Sequence, residues 1–224
     1  ERGNRNPYFL YLHFMEPHLD YRPPREFWSE EALAYDGPLD GSSRKLHKKI
    51  RSGTPFSAQD LAFLHAVYRG EVASLDSELR RLEAGLRELG LWNEETIFVL
   101  TADHGEQIGE HGEFEHGHVH VENVHVPLLI GAPGAPLHAV QQVVRLLDLT
   151  PTLLQLLGVE PLPGAQGRSL VPLLFGETLP PVPSLTEHGD RRRLTTEQLS
   201  LVLDRGVARL YDLTADPREE RDLA

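Results

Sequence analysis

The stretch "TIFVLTADHGEQIGEHGEFEHGH" (residues 96–118) joins an apolar run to a loop rich in histidine, carboxylate and glycine. Its first seven residues, 96–102, are β-branched, aromatic and aliphatic, which predicts a strand covered on both faces. The glycines beyond it disfavour a helix, so a loop is expected where the strand ends. Asp103 and His104 then stand at the carboxyl end of a buried strand, where ligands bind in open α/β sheets.

A long helical pattern precedes this strand, and a second apolar run follows the loop. Ser57 and Asp60 have the spacing of a capping box, and Gly90 marks a helix end. Apolar residues recur between them at three- and four-residue intervals, namely Leu61, Leu64, Tyr68, Val72, Leu75, Leu79, Leu82, Leu86 and Leu89. The run "VPLLIGAP" (residues 126–133) predicts another strand. Strand, helix and strand in this arrangement indicate an α/β layered fold with a mostly parallel sheet.

The segments before the long helix predict less regular structure. The run "YFLYLHF" (residues 8–14) is strongly apolar and is followed by prolines, which predicts a buried strand ending in a loop. Residues 20–56 are polar, with prolines and a basic patch, and are expected to form an irregular surface excursion.

The C-terminal third continues in α/β style. Thr150 as N-cap, Pro151 at the first helical position and Gly158 as the stop predict a short helix. The runs "LTTEQLSLVL" and "VARLYDL" flank "DRG", a turn signal, which predicts a hairpin. We therefore expect residues 1–180 to belong to one α/β domain and residues 181–224 to form a small subdomain with a β-hairpin.

Composition excludes several functional classes. A formal net charge of −12 argues against nucleic-acid and anionic-membrane partners, since both need a positive surface. The absence of cysteine excludes disulfides, thiolate metal sites and a cysteine nucleophile within these residues. No apolar run approaches the ~18 residues of a membrane span. No initiator methionine precedes the first apolar stretch, so we expect the coding sequence to begin upstream of Glu1; localisation and oligomeric state are not predicted.

Asp103 and His104 are the candidate metal ligands. Together they supply one hard carboxylate oxygen and one borderline imidazole nitrogen, a mix suited to Mn, Zn or Fe and less natural for Ca. An isolated Asp-His pair is more often an N-cap or a surface turn than a metal site. The residues around this pair favour the metal site, and Glu106, directly after the Asp-His-Gly turn, is expected to orient His104.

The segment "TADHGEQIGEHGEFEHGHVHVENVHVPLLI" closely resembles the second metal-binding segment of the sulfatases, within the alkaline phosphatase superfamily. "LYLHFMEPHLDYRPP" resembles the family's strand and loop that bring a substrate-contacting histidine, and "LYDLTADPREERDLA" is similar to sulfatase C-terminal portions. The resemblance covers nearly the whole chain. It implies a partial alkaline-phosphatase-like fold and a metal-dependent, arylsulfatase-like hydrolase of sulfuric esters.

The resemblance also implies roles for individual residues. Asp103 and His104 match two ligands of the family's divalent ion. Many sulfatases have Asn at the second position and bind Ca, whereas the histidine resembles the variant of phosphonate and phosphodiester hydrolases, so Mn or Zn is also expected.

The remaining candidate site residues are histidines, of which the resemblance implies His18 and His116. His18 matches the histidine that contacts the substrate anion. His116 stands where many sulfatases carry a lysine that contacts the sulfate, so it is expected to bind substrate and act as a proton donor or general acid. His118 follows it at alternating spacing and is expected to line the substrate site. The expected substrate is a small-molecule or carbohydrate sulfate ester of unspecified alcohol.

The rest of the family's catalytic machinery has no match here. Sulfatases carry a further acidic pair and a nucleophile in a Cys- or Ser-x-Pro/Ala-x-Arg motif, where the Cys or Ser becomes formylglycine; Ser42, Ser43 and Ser52 lack this motif. We therefore expect the chain to be the C-terminal half of a sulfatase-like hydrolase, with the formylglycine in the missing N-terminal half. Alone, the 224 residues are expected to be inactive.

Three alternatives stay open. A phosphodiester or phosphonate monoester hydrolase of the same superfamily is favoured by His104 and disfavoured by the sulfatase-like ending. A non-catalytic metal- or glycan-binding relic predicts a reading frame that begins near Glu1. A histidine-rich metal buffer predicts several weakly held ions instead of one site.

Overall fold

The computed structural model describes residues 7–224. By its internal packing the chain divides into two compact units, one reaching to Ala84 and the other comprising Gly85–Ala224. The division expected between residues 180 and 181 stays a prediction. Within the described residues, no helix has both the length and the apolar character needed to cross a membrane.

Helices dominate the first unit. A 3₁₀ turn at Arg25–Phe27 precedes α1 (Glu30–Ala34) and α2 (Ser43–Ser52). The side chain of Ser42 accepts a hydrogen bond from the backbone of the first turn of α2, and Gly53, at φ 65°, ends this helix in the left-handed conformation. The expectation of an irregular excursion over residues 20–56 is therefore wrong, because a buried leucine and local caps stabilise short helices within it.

The long helix α3 (Ala58–Glu88) confirms the predicted capping box. Ser57 Oγ accepts from the Asp60 amide at 3.1 Å, and the Asp60 carboxylate accepts from the Ser57 amide at 2.8 Å. Gly90, at φ 66°, follows its end as predicted. The apolar stripe is only partly buried: Leu64 is 1% exposed, whereas Val72 is 45% exposed.

The apolar run at residues 8–14 is not a strand. Its large side chains are exposed, with Phe9 at 80% and Tyr11 at 73%. A strand needs a neighbour for its backbone N–H and C=O groups, and no described strand pairs with this run. The prediction of a buried strand is therefore wrong for this structure.

The second unit contains the two strands predicted around the histidine-rich loop. Strand β1 (Phe98–Thr101) pairs with β4 (Leu128–Gly131), with Phe98 opposite Gly131. The pair is antiparallel, as is every described strand pair, so the expected mostly parallel sheet is wrong here. The connection between β1 and β4 holds no crossover helix of the kind that parallel strands require. The mixed helix-and-sheet class itself is confirmed.

The loop between β1 and β4 has its own secondary structure. Strands β2 (Gln107–Ile108) and β3 (Phe114–Glu115) form a small antiparallel hairpin, with a 3₁₀ turn at Glu110–Gly112 between them. The short helix α4 (Val121–Val124) follows and leads into β4.

Two short helices lie beyond β4, α5 (Leu149–Leu156) and α6 (Val171–Leu174). The predicted N-cap at Thr150 is wrong, because a 3₁₀ turn ending at Asp148 runs directly into α5, which therefore begins at Leu149, two residues before the predicted start at Pro151. Gly158, at φ 65°, follows the helix as predicted.

The C-terminal part is a four-stranded antiparallel meander. The predicted hairpin is confirmed, with Arg205 and Gly206 at positive φ in its turn, and two further strands precede it. The four strands are β5 (Ser184–His188), β6 (Arg191–Thr195), β7 (Leu199–Asp204) and β8 (Val207–Asp212).

A small apolar core joins this sheet to the histidine-rich loop. Val202 of β7 and Tyr211 of β8 are buried together with Val119, and Val124 of α4 packs against them. The loop that follows β1 is therefore supported from one side by the C-terminal sheet.

Candidate functional site

Asp103 and His104 lie two and three residues beyond β1, as predicted. His104 Nε2 and Asp103 Oδ1 are 3.9 Å apart, and the side chains are 36% and 74% exposed. Two ligand atoms at about 2.1 Å from a tetrahedral ion lie roughly 3.4 Å apart, so a small side-chain rotation suffices to bring both onto one divalent ion. The donor set, one carboxylate oxygen and one imidazole nitrogen, fits such an ion.

The tautomer of His104 is set by its neighbour in the chain. Its Nδ1 lies 2.9 Å from the Gly105 carbonyl oxygen, and a carbonyl only accepts, so Nδ1 carries the proton. Nε2, the nitrogen near Asp103, then has the lone pair that a metal requires. The expectation that Glu106 orients His104 is wrong, because the Glu106 carboxylate contacts His116 instead.

Gly105 allows α4 to approach this turn closely. A Cβ at Gly105 would lie 1.9 Å from the carbonyl oxygen of Glu122. The Gly105 amide donates to the Asn123 carbonyl at 2.8 Å, and the Asn123 side chain donates to the carbonyls of Gly105 (3.4 Å) and Glu115 (3.2 Å). Through these hydrogen bonds the buried Asn123 links both sides of the β2–β3 hairpin to α4.

His116 lies directly against the candidate metal ligand. Its ring stacks on His104, with centroids 4.2 Å apart and an interplanar angle of 28°. Its Nδ1 is 3.3 Å from Glu106 Oε1, and the two side chains are 39% and 3% exposed. The structure thus brings Asp103, His104 and His116 together, and their predicted roles stay predictions.

His118 has different neighbours. Its Nε2 lies 3.3 Å from Glu113, and its side chain is largely buried. Burial lowers the pKa of His118, with nearby Arg191 acting in the same direction and Glu113 opposing it. The predicted role of His118 in lining the substrate site stays a prediction.

A second histidine cluster, which sequence reasoning missed, lies in the same loop. His111 and His120 stack with centroids 3.9 Å apart and an interplanar angle of 12°. His111 Nε2 is 3.3 Å from Glu122, and His120 Nδ1 is 3.2 Å from Glu219. Ligand atoms of His111, His120 and Glu219 lie within 4.8 Å of one another, close enough to be tested as a metal site.

We call His111, His120 and Glu219 the buried cluster, because His120 and Glu219 are buried. Two of its features disfavour a metal ion. Imidazole lone pairs lie in the ring plane, so two nearly parallel stacked rings do not direct them at one point. Glu219 is also paired with Arg193 at 2.6 Å, and both side chains are essentially inaccessible. Burial by itself raises the pKa of Glu219, but the hydrogen bond from His120 and the charge of Arg193 outweigh burial and lower it.

The buried cluster belongs to a set of contacts that fix the loop after His116 on the C-terminal sheet. Arg191 donates to the Gly117 carbonyl at 3.0 Å, and Arg193 donates to the Val119 carbonyl at 3.2 Å. Glu219 also accepts from the Val121 amide at 3.2 Å. Local sequence patterns do not predict these contacts, because the paired residues are 74 or more positions apart along the chain.

His18 lies in the first unit. Its Nδ1 is 2.7 Å from the Leu19 carbonyl oxygen, and it lines a cavity of about 690 Å³ with Arg22, Glu71 and Leu75. Glu71 is buried, and burial raises its pKa although the Arg22 amide donates to its carboxylate. The predicted role of His18 in holding the substrate anion stays a prediction.

Comparisons with known proteins place the chain among the sulfatases. A family model described as Sulfatase matches residues 1–159. Arylsulfatase K of Gallus gallus is 32% identical over 188 residues, which cover 75% of this chain and 35% of that protein. The multifunctional alkaline phosphatase superfamily protein PehA of Trinickia caryophylli is 30% identical over 193 residues, which cover 75% of this chain and 37% of that protein.

Solved structures support the same fold. The crystal structure of phosphonate monoester hydrolase of Agrobacterium radiobacter matches with a TM-score of 0.78 at 24% identity, covering 99% of this chain and 53% of that one. This likeness confirms the expected alkaline-phosphatase-like fold. The chain spans 35% and 37% of the two curated relatives named above and about half of this solved chain.

Proposed function

Because the chain belongs to the sulfatase family, we propose that it forms part of a metal-dependent sulfuric ester hydrolase in which Asp103 and His104 hold the divalent ion. Members of this family generally use such an ion. The observation that carries the proposal is the convergence of Asp103 Oδ1 and His104 Nε2, 3.9 Å apart, with His116 stacked on the same imidazole.

The chain's own residues have distinct roles in this proposal. A bound divalent ion supplies positive charge that stabilises the charge developing on the transferring group. Asp103 and His104 bind it at the end of β1, where the backbone is fixed by pairing with β4. His116 binds the anionic ester and donates a proton to the leaving oxygen as a general acid. His18 contacts the substrate anion.

The family supports the proposed substrate class, and the cavity beside His18 in the first unit has room for a small ligand. Solved relatives include a sulfatase described as a 2-O GAG sulfatase. The cavity of about 690 Å³ lies within the size range of small-ligand pockets, and Glu16, Asp20 and Glu71 give it hydrogen-bond acceptors for hydroxyl groups. We propose a small-molecule or carbohydrate sulfate ester as substrate.

A second candidate activity is hydrolysis of phosphonate monoesters or phosphodiesters. His104 favours it, because an imidazole at the second ligand position suits transition metals better than calcium. PehA, at 30% identity, is named as a multifunctional protein of the superfamily.

The two candidates are separated by comparing esters of one alcohol. The polypeptide encoded by the complete open reading frame is assayed with 4-nitrophenyl sulfate, 4-nitrophenyl phenylphosphonate and bis(4-nitrophenyl) phosphate, with and without a chelator. A higher kcat/KM for the sulfate ester, abolished by chelation and by Asp103→Asn, supports the sulfatase. A higher kcat/KM for either phosphorus ester supports the second candidate. No metal-dependent turnover of any of the three contradicts both.

A further inference from the structure

The geometry points to Glu106 as a positioning residue that fixes the tautomer and orientation of His116; its kinetic consequence rests on the proposed function. Glu106 is 3% exposed, and its Oε1 lies 3.3 Å from His116 Nδ1. A carboxylate buried to this degree is unfavourable without a hydrogen-bonding partner, and His116 provides one.

The β2–β3 hairpin brings the two residues together. Gln107 pairs with Glu115 and Ile108 with Phe114. Glu106 directly precedes the first of these pairs and His116 directly follows it, where Glu115, at φ 65°, ends the extended backbone of β3. The hairpin therefore sets both side chains at the same end of the strand pairing.

The backbone around this pair is itself held firmly. Gln107 and Ile108 are buried, at 0% and 3% exposure. Asn123 donates to the carbonyls of Gly105 and Glu115, the residues that precede Glu106 and His116. Arg191 holds the carbonyl of Gly117, the residue after His116.

The hydrogen bond determines which nitrogen of His116 is available for chemistry. An ionised carboxylate only accepts, so Nδ1 of His116 is the donor. Nε2 lies on the far side of the ring from Glu106; in the protonated ring it carries the proton that His116 donates to the leaving oxygen, and this donation leaves the Nδ1–H tautomer. Without Glu106 the ring loses the acceptor that selects the Nδ1–H tautomer, so fewer molecules present Nε2 in the reactive geometry.

The test reads the tautomer directly. Histidine-labelled polypeptide from the complete open reading frame is studied by ¹⁵N NMR at a pH where the His116 ring is neutral, with its signals identified by their loss in His116→Asn. The neutral ring is expected to carry its proton on Nδ1 in the wild type. Glu106→Leu, which removes the acceptor, is expected to move the proton to Nε2, whereas Glu106→Gln, whose amide oxygen still accepts, retains much of the Nδ1–H form.

Glu113→Leu is the matched control. It removes a second glutamate–histidine pair of the same loop, Glu113 and His118, also 3.3 Å apart. It is expected to leave the His116 tautomer unchanged. An Nε2–H ring in the folded wild type overturns the proposal, even if the leucine variant does not fold, and so does an equal tautomer shift in Glu113→Leu.

Kinetics provide the second readout. We expect Glu106→Leu to lower kcat about 10- to 100-fold, the range for residues that orient a functional histidine. KM should change much less, and Glu106→Gln should recover part of kcat. Unchanged kcat in Glu106→Leu contradicts the positioning role. If the wild type turns over no ester, the proposed function fails, while the tautomer measurement still decides the role of Glu106.

Discussion

Two stacked histidine pairs lie in one loop, and their surroundings give them opposite properties. The rings of His104 and His116 stack at 4.2 Å beside the largely exposed Asp103, whereas those of His111 and His120 stack at 3.9 Å against the fully buried Glu219. In the second pair Arg193 already neutralises the carboxylate. We therefore propose that histidines provide chemistry at one end of the loop and structural support at the other, according to the partners that surround them.

The largest effect is expected from breaking the buried cluster. Glu219→Gln leaves Arg193 buried without its counter-charge, so the free energy of unfolding should fall by about 3–5 kcal/mol. Urea denaturation monitored by circular dichroism measures it. The control Glu220→Gln changes an exposed neighbour and should stay within about 0.5 kcal/mol of the wild type. Equal losses in the two variants would contradict the structural role of the buried cluster.

The next effect concerns metal affinity. His104→Ala removes one of the two proposed ligands and should weaken Mn²⁺ or Zn²⁺ binding by about 100-fold or more, beyond the range for residues that only support ligands. Isothermal titration of the polypeptide from the complete open reading frame measures the affinity. His111→Ala is the comparison, with little change in affinity expected. A comparable loss of affinity in His111→Ala would indicate that the metal binds at the buried cluster instead.

A third prediction tests the turn at Gly105, which directly follows Asp103 and His104. Gly105→Ala places a methyl group 1.9 Å from the Glu122 carbonyl oxygen, so α4 must shift. We expect a loss of about 2 kcal/mol in the free energy of unfolding. Gly85→Ala, where an added Cβ has no neighbour within 4 Å, is the control and should be neutral or stabilising. A Gly105→Ala protein as stable as the control would show that the close approach is not required.

The smallest expected effect is a pH dependence of the stability that Glu219 contributes through the buried cluster. The pKa of Glu219 in the folded protein lies below its ordinary value of 4.5, so its contribution to stability is present above pH 4.5 and is lost as the pH falls through the folded pKa. The stability gap between wild type and Glu219→Gln should therefore narrow on acidification below pH 4.5. A series of urea midpoints between neutral pH and pH 3 tests this, and a constant gap would contradict it.

The position of Asp103 and His104 at a strand end was predictable from sequence, and the buried cluster was not. Asp103 and His104 follow an apolar run directly, so local pattern alone places them at a strand end. The Glu106–His116 contact also had a local signal, because Gly109 and Gly112 between them indicate a tight hairpin. His120 and Glu219, by contrast, meet only through tertiary packing of the C-terminal sheet.

Strand pairing shows the same limit. The apolar runs at β1 and β4 predicted both strands, but hydrophobicity does not encode direction, and the antiparallel pairing depends on the path of the loop between them. The run at residues 8–14 has the composition of a strand, yet a strand also needs a neighbour, which composition does not supply.

Anomalous diffraction from crystals of the complete polypeptide, grown with Mn²⁺ or Zn²⁺, most directly tests the division between the two histidine pairs. We predict a peak within about 2.3 Å of both Asp103 Oδ1 and His104 Nε2, and none between His111, His120 and Glu219. A peak at the buried cluster, with none at Asp103, would contradict the assignment of the metal centre.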